Sequence, residues 1–216
     1  TFDLITKPNI YLIFIESYGA ILYHNLKIKD EYLRNLSQNE TSLRQNNWYI
    51  ASSLSHAPVS GGKSWVSYGS VIYGINMENN GLYEVLIKHH QLDTYNHLLK
   101  FFQRKGYENF RLSSLYPHEE MLIPWNEFTQ FYAVDEWIKN NDLDYSRQLY
   151  GFGPSPPDQY AINFASDYIQ KTWNKPYTLF FITQNSHIPY YAPDSIVNDY
   201  KTLNNERKIK RQNSVF

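Results

Sequence analysis

The stretch Asn9–Ala20 reads NIYLIFIESYGA and decides the fold class of this chain. From Ile10 to Ile15 it is a continuous run of apolar and β-branched residues, which is typical of a parallel strand covered on both faces. The run ends abruptly at a carboxylate, Glu16. In sheets of parallel strands, ligand sites collect beyond the carboxyl ends of the strands. Glu16 is therefore the first candidate site residue.

Strands and helices alternate along the rest of the sequence. Further strands are predicted at Trp48–Ser53, Asn109–Leu112, Phe131–Val134 and Tyr177–Thr183. Helices are predicted, from the spacing of apolar residues, at 28–45, Ser64–Tyr73, Asp93–Lys105 and, with Asp158 as N-cap, in the segment after Pro157. This alternation predicts an α/β fold with a mainly parallel sheet sandwiched by helices.

A second informative segment is Ser60–Trp65, SGGKSW. This glycine-rich turn delivers Lys63 and Ser64 to the predicted start of a helix. Ser64 has two interpretations there: an N-cap, which is the default for such a serine, or a nucleophile whose negative charge the helix N-terminus favours. A hard oxygen ligand such as Glu16 suits Mg²⁺, Mn²⁺, Ca²⁺ or Zn²⁺. The two segments together indicate a metal-assisted serine nucleophile.

The composition narrows the classes of function. The 20 lysine and arginine residues and 21 aspartate and glutamate residues give a net charge of −1, which does not support nucleic-acid binding. The chain has no cysteine, which excludes disulfides, a cysteine nucleophile and thiolate metal sites. No apolar run approaches the roughly 20 residues that span a bilayer. Since the chain begins with Thr1 rather than Met, we expect an upstream segment, with a membrane anchor among the candidates.

Four segments taken together carry a resemblance to a known family. Their order and spacing resemble the sulfatase-like branch of the alkaline phosphatase superfamily, and lipoteichoic acid synthases and phosphoethanolamine transferases are the most similar in pattern. The segments are Pro8–Gly19 (PNIYLIFIESYG), Ala57–Gly74 (APVSGGKSWVSYGSVIYG), Tyr150–Ala161 (YGFGPSPPDQYA) and Thr183–Tyr190 (TQNSHIPY). The resemblance implies an alkaline-phosphatase-like fold.

The resemblance also implies roles for individual residues. Glu16 matches a first-strand carboxylate that binds a divalent metal ion, with Mn, Mg, Zn and Ca as candidates. Ser64 matches a serine or threonine nucleophile that is also a metal ligand. His187 matches a histidine that contacts the phosphate or sulfate group of the substrate. Lys63, beside the nucleophile, would help to neutralise anionic charge.

Two further candidates have a less defined basis. Asp158, with Gln159, belongs to a family motif to which the resemblance assigns no role. His56 lies close in sequence to the nucleophile loop, where structural packing is the favoured interpretation and a site role is the alternative.

The implied activity is that of a metal-dependent phosphotransferase or hydrolase that acts on phosphate esters in the cell envelope through a seryl intermediate. Sulfate esters are less favoured, because SGGKSW lacks the C/S-x-P-x-R motif from which sulfatases proper make formylglycine. The substrate would be an anionic ester, with lipid-linked and glycan-linked esters as candidates. The implied location is the extracytoplasmic face of a bacterial membrane or the periplasm.

One departure from the family pattern favours a second hypothesis. The family completes its metal site with an Asp-His pair on a later strand, and no Asp-His dipeptide occurs in this sequence. We therefore expect residues 1–216 to be the amino-terminal portion of a sulfatase-like catalytic domain, incomplete as a fold and with an exposed apolar sheet edge. The alternative function is a catalytically inactive fragment that at most binds anions.

Overall fold

The computed structural model describes residues 5–59, 63–88, 95–115, 129–147, 149, 154–187 and 196–204. The chain divides into a larger unit, Thr1–Glu16 with Pro58–Phe216, and a smaller unit, Ser17–Ala57. Every candidate residue except His56 therefore belongs to the larger unit.

The larger unit contains a four-stranded sheet. Its strands are β1 (Ile10–Phe14), β2 (Glu108–Ser113), β3 (Glu136–Lys139) and β4 (Tyr177–Ile182). Across the sheet their order is β1, β4, β2, β3, and every pairing is parallel. The predicted parallel sheet is confirmed, and its strand order brings the two continuously apolar strands, β1 and β4, side by side.

Helices of the larger unit cover both faces of this sheet. Those with described bounds are α3 (Ser64–Tyr73), α4 (Asn80–Lys88), α5 (Leu98–Arg104) and α6 (Asp158–Thr172). The smaller unit contains α1 (Ile21–His24) and α2 (Lys29–Gln45). Short 3-10 turns lie at Asn140–Asp142 and Tyr200–Asn204.

Alternation along β4 divides the core into two apolar layers. Phe180 packs into one layer with buried residues of α3, α4 and α5. Leu179 and Phe181 pack into the other, with buried residues of α6. A strand buried on both faces needs apolar residues at every position, which is the pattern of β4. The predicted helix–sheet–helix sandwich is confirmed.

Some predicted boundaries are confirmed and others shift. Helix α3 has its predicted bounds, and Gly74 ends it with a φ of +66°. Helix α5 begins at Leu98, with His97 as its N-cap, so the described residues do not support a helix from 95 onwards; residues 93 and 94 lie outside the described ranges.

Two predicted strands are wrong. Trp48–Ser53 forms neither helix nor strand, and Trp48 and Tyr49 are 65% and 99% exposed. Their aromatic pattern suits a strand, but this segment of the smaller unit pairs with none of the strands in the described sheet. At Phe131–Val134 the chain turns instead, because Ala133 adopts a φ of +47°. The strand forms just beyond, as β3.

One edge of the sheet is apolar and partly exposed. In the part of the chain that the structure describes, β1 pairs with β4 alone. Tyr11, Ile13 and Ile15 on and after β1 are 41%, 42% and 51% exposed. This edge matches the exposed apolar edge expected from the sequence.

Asn109 on β2 joins the sheet to two connecting segments. It is fully buried, and its Nδ2 donates to the carbonyl oxygens of Leu99 at 2.9 Å and Ala133 at 3.0 Å. Its Oδ1 accepts a 2.7 Å hydrogen bond from Thr178 Oγ1 on β4. The bond to Ala133 also holds the turn that takes the chain into β3.

We predict that Asn109→Ala lowers the free energy of unfolding by about 3 kcal/mol or more, because it leaves two carbonyl groups and one hydroxyl without their partner in the core. Urea denaturation would measure the loss. Asn163→Ala is the control, since Asn163 makes one exposed bond to the carbonyl of Gln159; its effect should stay within about 0.5 kcal/mol. Equal losses in the two variants would contradict the role given to Asn109.

Candidate functional site

The ends of β1 and β4 are joined where the site is expected. The parallel register places Phe14 beside Ile182, so the next residues of both strands lie next to each other. The backbone N–H of Glu16 donates to Thr183 Oγ1 at 2.9 Å. The Thr183 hydroxyl in turn shares a 2.8 Å hydrogen bond with the hydroxyl of Ser186. Glu16 is thereby attached to the loop that follows β4.

Helix α3 presents Ser64 at its start. Ser64 is the first helical residue, so the N-cap position belongs to Lys63 rather than to Ser64. Lys63 is exposed and adopts a left-handed conformation, with a φ of +55° and no side-chain capping bond. Residues 60–62 lie outside the described ranges. A helix N-terminus carries partial positive charge, which favours an anion near Ser64.

Tyr68 brings Glu16 and Ser64 together. Its hydroxyl donates to Glu16 Oε2, and the side chain of Ser64 lies near enough to the same hydroxyl to lower its pKa. Burial, with the bond to Glu16, raises the pKa of Tyr68 far above its usual value, while the nearby Ser64 side chain opposes the rise. Tyr68 therefore stays protonated at neutral pH and remains a donor to the carboxylate.

A cation lies in the same apolar layer. The guanidinium of Arg111 on β2 stacks on the rings of Tyr132, Trp137 and Phe180, at 4.8, 4.5 and 4.7 Å. Burial lowers the pKa of Arg111, and a hydrogen bond with Tyr132 opposes that change. Tyr132 and Phe180 belong to the same apolar layer as Tyr68, so Arg111 places a positive charge on the side of the sheet where the candidate site lies.

Asp158 does not cap α6. The helix begins at Asp158 itself, after Pro157, so the predicted N-cap is wrong. Its carboxylate is already engaged, because Oδ1 accepts from the Gln184 N–H and Oδ2 from the Asn185 N–H, both at 2.8 Å. Burial raises the pKa of Asp158 from 3.8 to about 6, against the effect of these two bonds.

The other candidates are placed as follows. His187 is half-buried in the loop after β4, and its backbone N–H donates to the carbonyl oxygen of Gln184 at 3.1 Å. His56 is exposed in the smaller unit, outside any helix or strand. The roles of both histidines, and those of Glu16, Lys63 and Ser64, stay predictions.

Sequence reasoning missed two residues that organise this region. Tyr68 lies one helical turn after Ser64, and its helical spacing with Trp65 and Ile72 indicates only a packed face. Thr183 reads as the last residue of an apolar strand. In both cases the signal is a hydroxyl within reach of a predicted site residue, and it becomes informative only when the strand order is known.

Two solved structures are similar to this chain in fold. The lipoteichoic acid synthase LtaP from Listeria monocytogenes has 16% identity and a TM-score of 0.59, with 85% of this chain and 42% of that chain covered. A protein in the alkaline phosphatase superfamily from Vibrio parahaemolyticus has 14% identity and a TM-score of 0.52, with 93% and 47% covered. The chain thus spans less than half the length of each neighbour.

The sequence comparison agrees with the fold. No curated protein matches the chain. The sequence model of the Sulfatase family matches residues 8–215, a range that contains all the candidate residues. Its parallel sheet and its similarity to an alkaline-phosphatase-superfamily structure agree with that match. The chain belongs to the Sulfatase family, within the alkaline phosphatase superfamily.

Proposed function

We propose that residues 1–216 are the amino-terminal portion of the catalytic domain of a metal-dependent phosphotransferase or hydrolase, with Ser64 as its nucleophile. The Sulfatase family contains enzymes that act on phosphate or sulfate esters. Phosphate esters are the proposed substrates, because the SGGKSW segment lacks the formylglycine motif of sulfatases proper.

One observation supports this proposal most directly: Tyr68 donates to the Glu16 carboxylate, and Ser64 lies near the same hydroxyl. The residues come from two distant parts of the sequence, the end of β1 and the start of α3. A carboxylate and a hydroxyl at the carboxyl edge of a parallel sheet suit both metal binding and nucleophilic attack.

The donor atoms are compatible with a hard divalent cation. Glu16 offers a carboxylate and Ser64 a hydroxyl, and such cations prefer oxygen ligands. Within the described ranges, no group of three or more His, Cys, Asp or Glu side chains comes together as a metal site. Glu16 and Ser64 would hold the ion only in part, and the ion would polarise a phosphoryl oxygen and favour ionisation of the serine.

The chain's own residues supply the remaining chemistry. Ser64 Oγ would lose its proton to solvent and attack phosphorus, the phosphorus–oxygen bond of the ester would break, and the substrate's alcohol would leave after taking a proton from solvent. Water or an acceptor hydroxyl would then take the phosphoryl group from the seryl ester and release the Ser64 hydroxyl. The N-terminus of α3 and the exposed ammonium of Lys63 would favour the anionic substrate. His187 would bind a substrate oxygen, and Tyr68 would keep the Glu16 carboxylate directed towards Ser64.

The proposed substrate is a lipid-linked or glycan-linked phosphate ester outside the cytoplasm of a bacterium. Similarity in fold to a lipoteichoic acid synthase supports this choice. Attachment to the membrane would come from a segment upstream of Thr1. None of the helices in the described ranges has the length and apolarity needed to cross a bilayer. The balanced net charge supports no role in binding nucleic acid.

The second candidate function is a non-catalytic, anion-binding protein. The absence of a three-residue metal-ligand cluster among the described residues favours it. Covalent labelling distinguishes the two, because only the enzyme forms a seryl ester.

We predict that Tyr68→Phe lowers the free energy of unfolding by about 1–2 kcal/mol, because the Glu16 carboxylate loses a donor. Tyr168→Phe is the matched control, since Tyr168 donates to Glu136 on an exposed surface; its effect should be within about 0.5 kcal/mol. A double-mutant cycle that combines Tyr68→Phe with Glu16→Gln, measured by urea denaturation, gives the coupling energy between the two side chains. A coupling energy near zero would contradict the positioning role of Tyr68.

The proposed nucleophile is tested by covalent labelling. Because Glu16 and Ser64 would hold the ion only in part, the protein is prepared with the rest of the proposed catalytic domain after residue 216. It would be incubated with Mn²⁺ and p-nitrophenyl phosphate, then acid-quenched and analysed by intact mass and peptide mapping. We expect a single phosphoryl adduct on Ser64 that requires Mn²⁺ and is lost in Ser64→Ala. Ser67→Ala, the same change on the same helix, should retain it.

Two results would argue against this assignment. An adduct that persists in Ser64→Ala would exclude Ser64 as the nucleophile. No adduct in the unmodified protein, together with measurable binding of inorganic phosphate, would favour the anion-binding alternative.

A further inference from the structure

The loop after β4 is held from two sides. On one side, Thr183 accepts the Glu16 N–H at 2.9 Å and bonds Ser186 at 2.8 Å. On the other side, the loop contacts the first turn of α6 through Asp158. His187 follows directly, so its place depends on both attachments.

The contact with Asp158 is reciprocal. Its two carboxylate oxygens accept the backbone N–H groups of Gln184 and Asn185, each at 2.8 Å. The side chain of Asn185 accepts the backbone N–H of Asp158 at 2.6 Å. Each partner thus fixes the backbone of the other, and hydrogen bonds to a charged acceptor are stronger than neutral ones.

Gln159, the residue after Asp158, binds the backbone on the C-terminal side of His187. Gln159 Nε2 donates to the carbonyl of Val197 at 2.6 Å, and Gln159 Oε1 accepts the Val197 N–H at 3.3 Å. Asp158 and Gln159 therefore bind backbone groups both before and after the histidine. Both carboxylate oxygens of Asp158 are directed to this backbone contact.

We propose that Asp158 and Gln159 are positioning residues that hold the His187 loop against α6, and that Asp158 is neither a metal ligand nor a substrate contact. The hydrogen bonds alone support the positioning role. What His187 does in the held loop rests on the function proposed above.

Amide hydrogen exchange by NMR tests the positioning role without any assay of activity. In Asp158→Asn, the new side-chain NH₂ group replaces one carboxylate oxygen, so the backbone N–H that faced this oxygen has no acceptor. Because the oxygen that remains can accept only one of the two N–H groups, the amide of Gln184 or that of Asn185 should exchange about tenfold faster or more, while those of Leu179 and Phe181 on β4 stay unchanged. Asp167→Asn on the same helix is the control, because the Asp167 carboxylate accepts a hydrogen bond from the Tyr200 hydroxyl at 2.8 Å rather than from the loop after β4. It should leave all four rates unchanged.

A second measurement relates the loop to anion binding. Inorganic phosphate would be titrated while the His187 ring signals are followed, and Asp158→Asn should weaken its apparent affinity about as much as His187→Ala does. Mn²⁺ affinity, measured by electron paramagnetic resonance, should be unchanged in Asp158→Asn. If that variant does not fold, Asn185→Ala, which removes one bond from the same contact, replaces it.

The outcomes separate the two proposals. Unchanged exchange at Gln184 and Asn185 in a folded variant would overturn the positioning role, and so would loss of Mn²⁺ binding in Asp158→Asn. Faster exchange supports it even when the unmodified protein binds no phosphate, and that last result would count against the proposed function of His187 instead.

Discussion

The hydrogen bond from the backbone of Glu16 to the Thr183 side chain is the constraint on which the site depends. It forms because β1 and β4 pair in parallel with Phe14 beside Ile182, so that both chains leave the sheet together. Without that pairing, nothing would hold the Glu16 carboxylate beside the loop that contains His187. The pairing of β1 with β4 thus determines where the polar residues that follow the two strands lie.

The sequence predicted the parts of the fold that follow from local pattern. Continuous apolar runs correctly indicate β1 and β4 as strands. Burial on both faces, which such a run predicts, holds for β4 but not for β1, where Tyr11 and Ile13 remain exposed. Helical spacing gave the bounds of α3. The strand prediction at Trp48–Ser53 is wrong because a strand needs hydrogen-bonding partners from another segment, and local pattern does not show whether they are present.

The residues of the candidate site could be predicted from the sequence, but the contacts between them could not. Glu16 and Ser64 were identified from their positions after a strand and before a helix, and the structure places them around one hydroxyl. Tyr68 could not be chosen, because an aromatic side chain at helical spacing is usually a core residue. Asp158 was misread as a cap, since a carboxylate at a helix start normally bonds its own helix rather than a distant loop.

The turn before Ser64 has a consequence for how this protein can be changed. Lys63 holds a φ of +55°, a conformation that costs a non-glycine residue roughly 1–2 kcal/mol. Glycine would hold the same turn without that strain. Folding alone therefore favours glycine at position 63, and the role proposed for the Lys63 ammonium would come at a cost in stability. Stability and activity should oppose each other at this residue, so selection for heat resistance alone would be expected to remove the lysine.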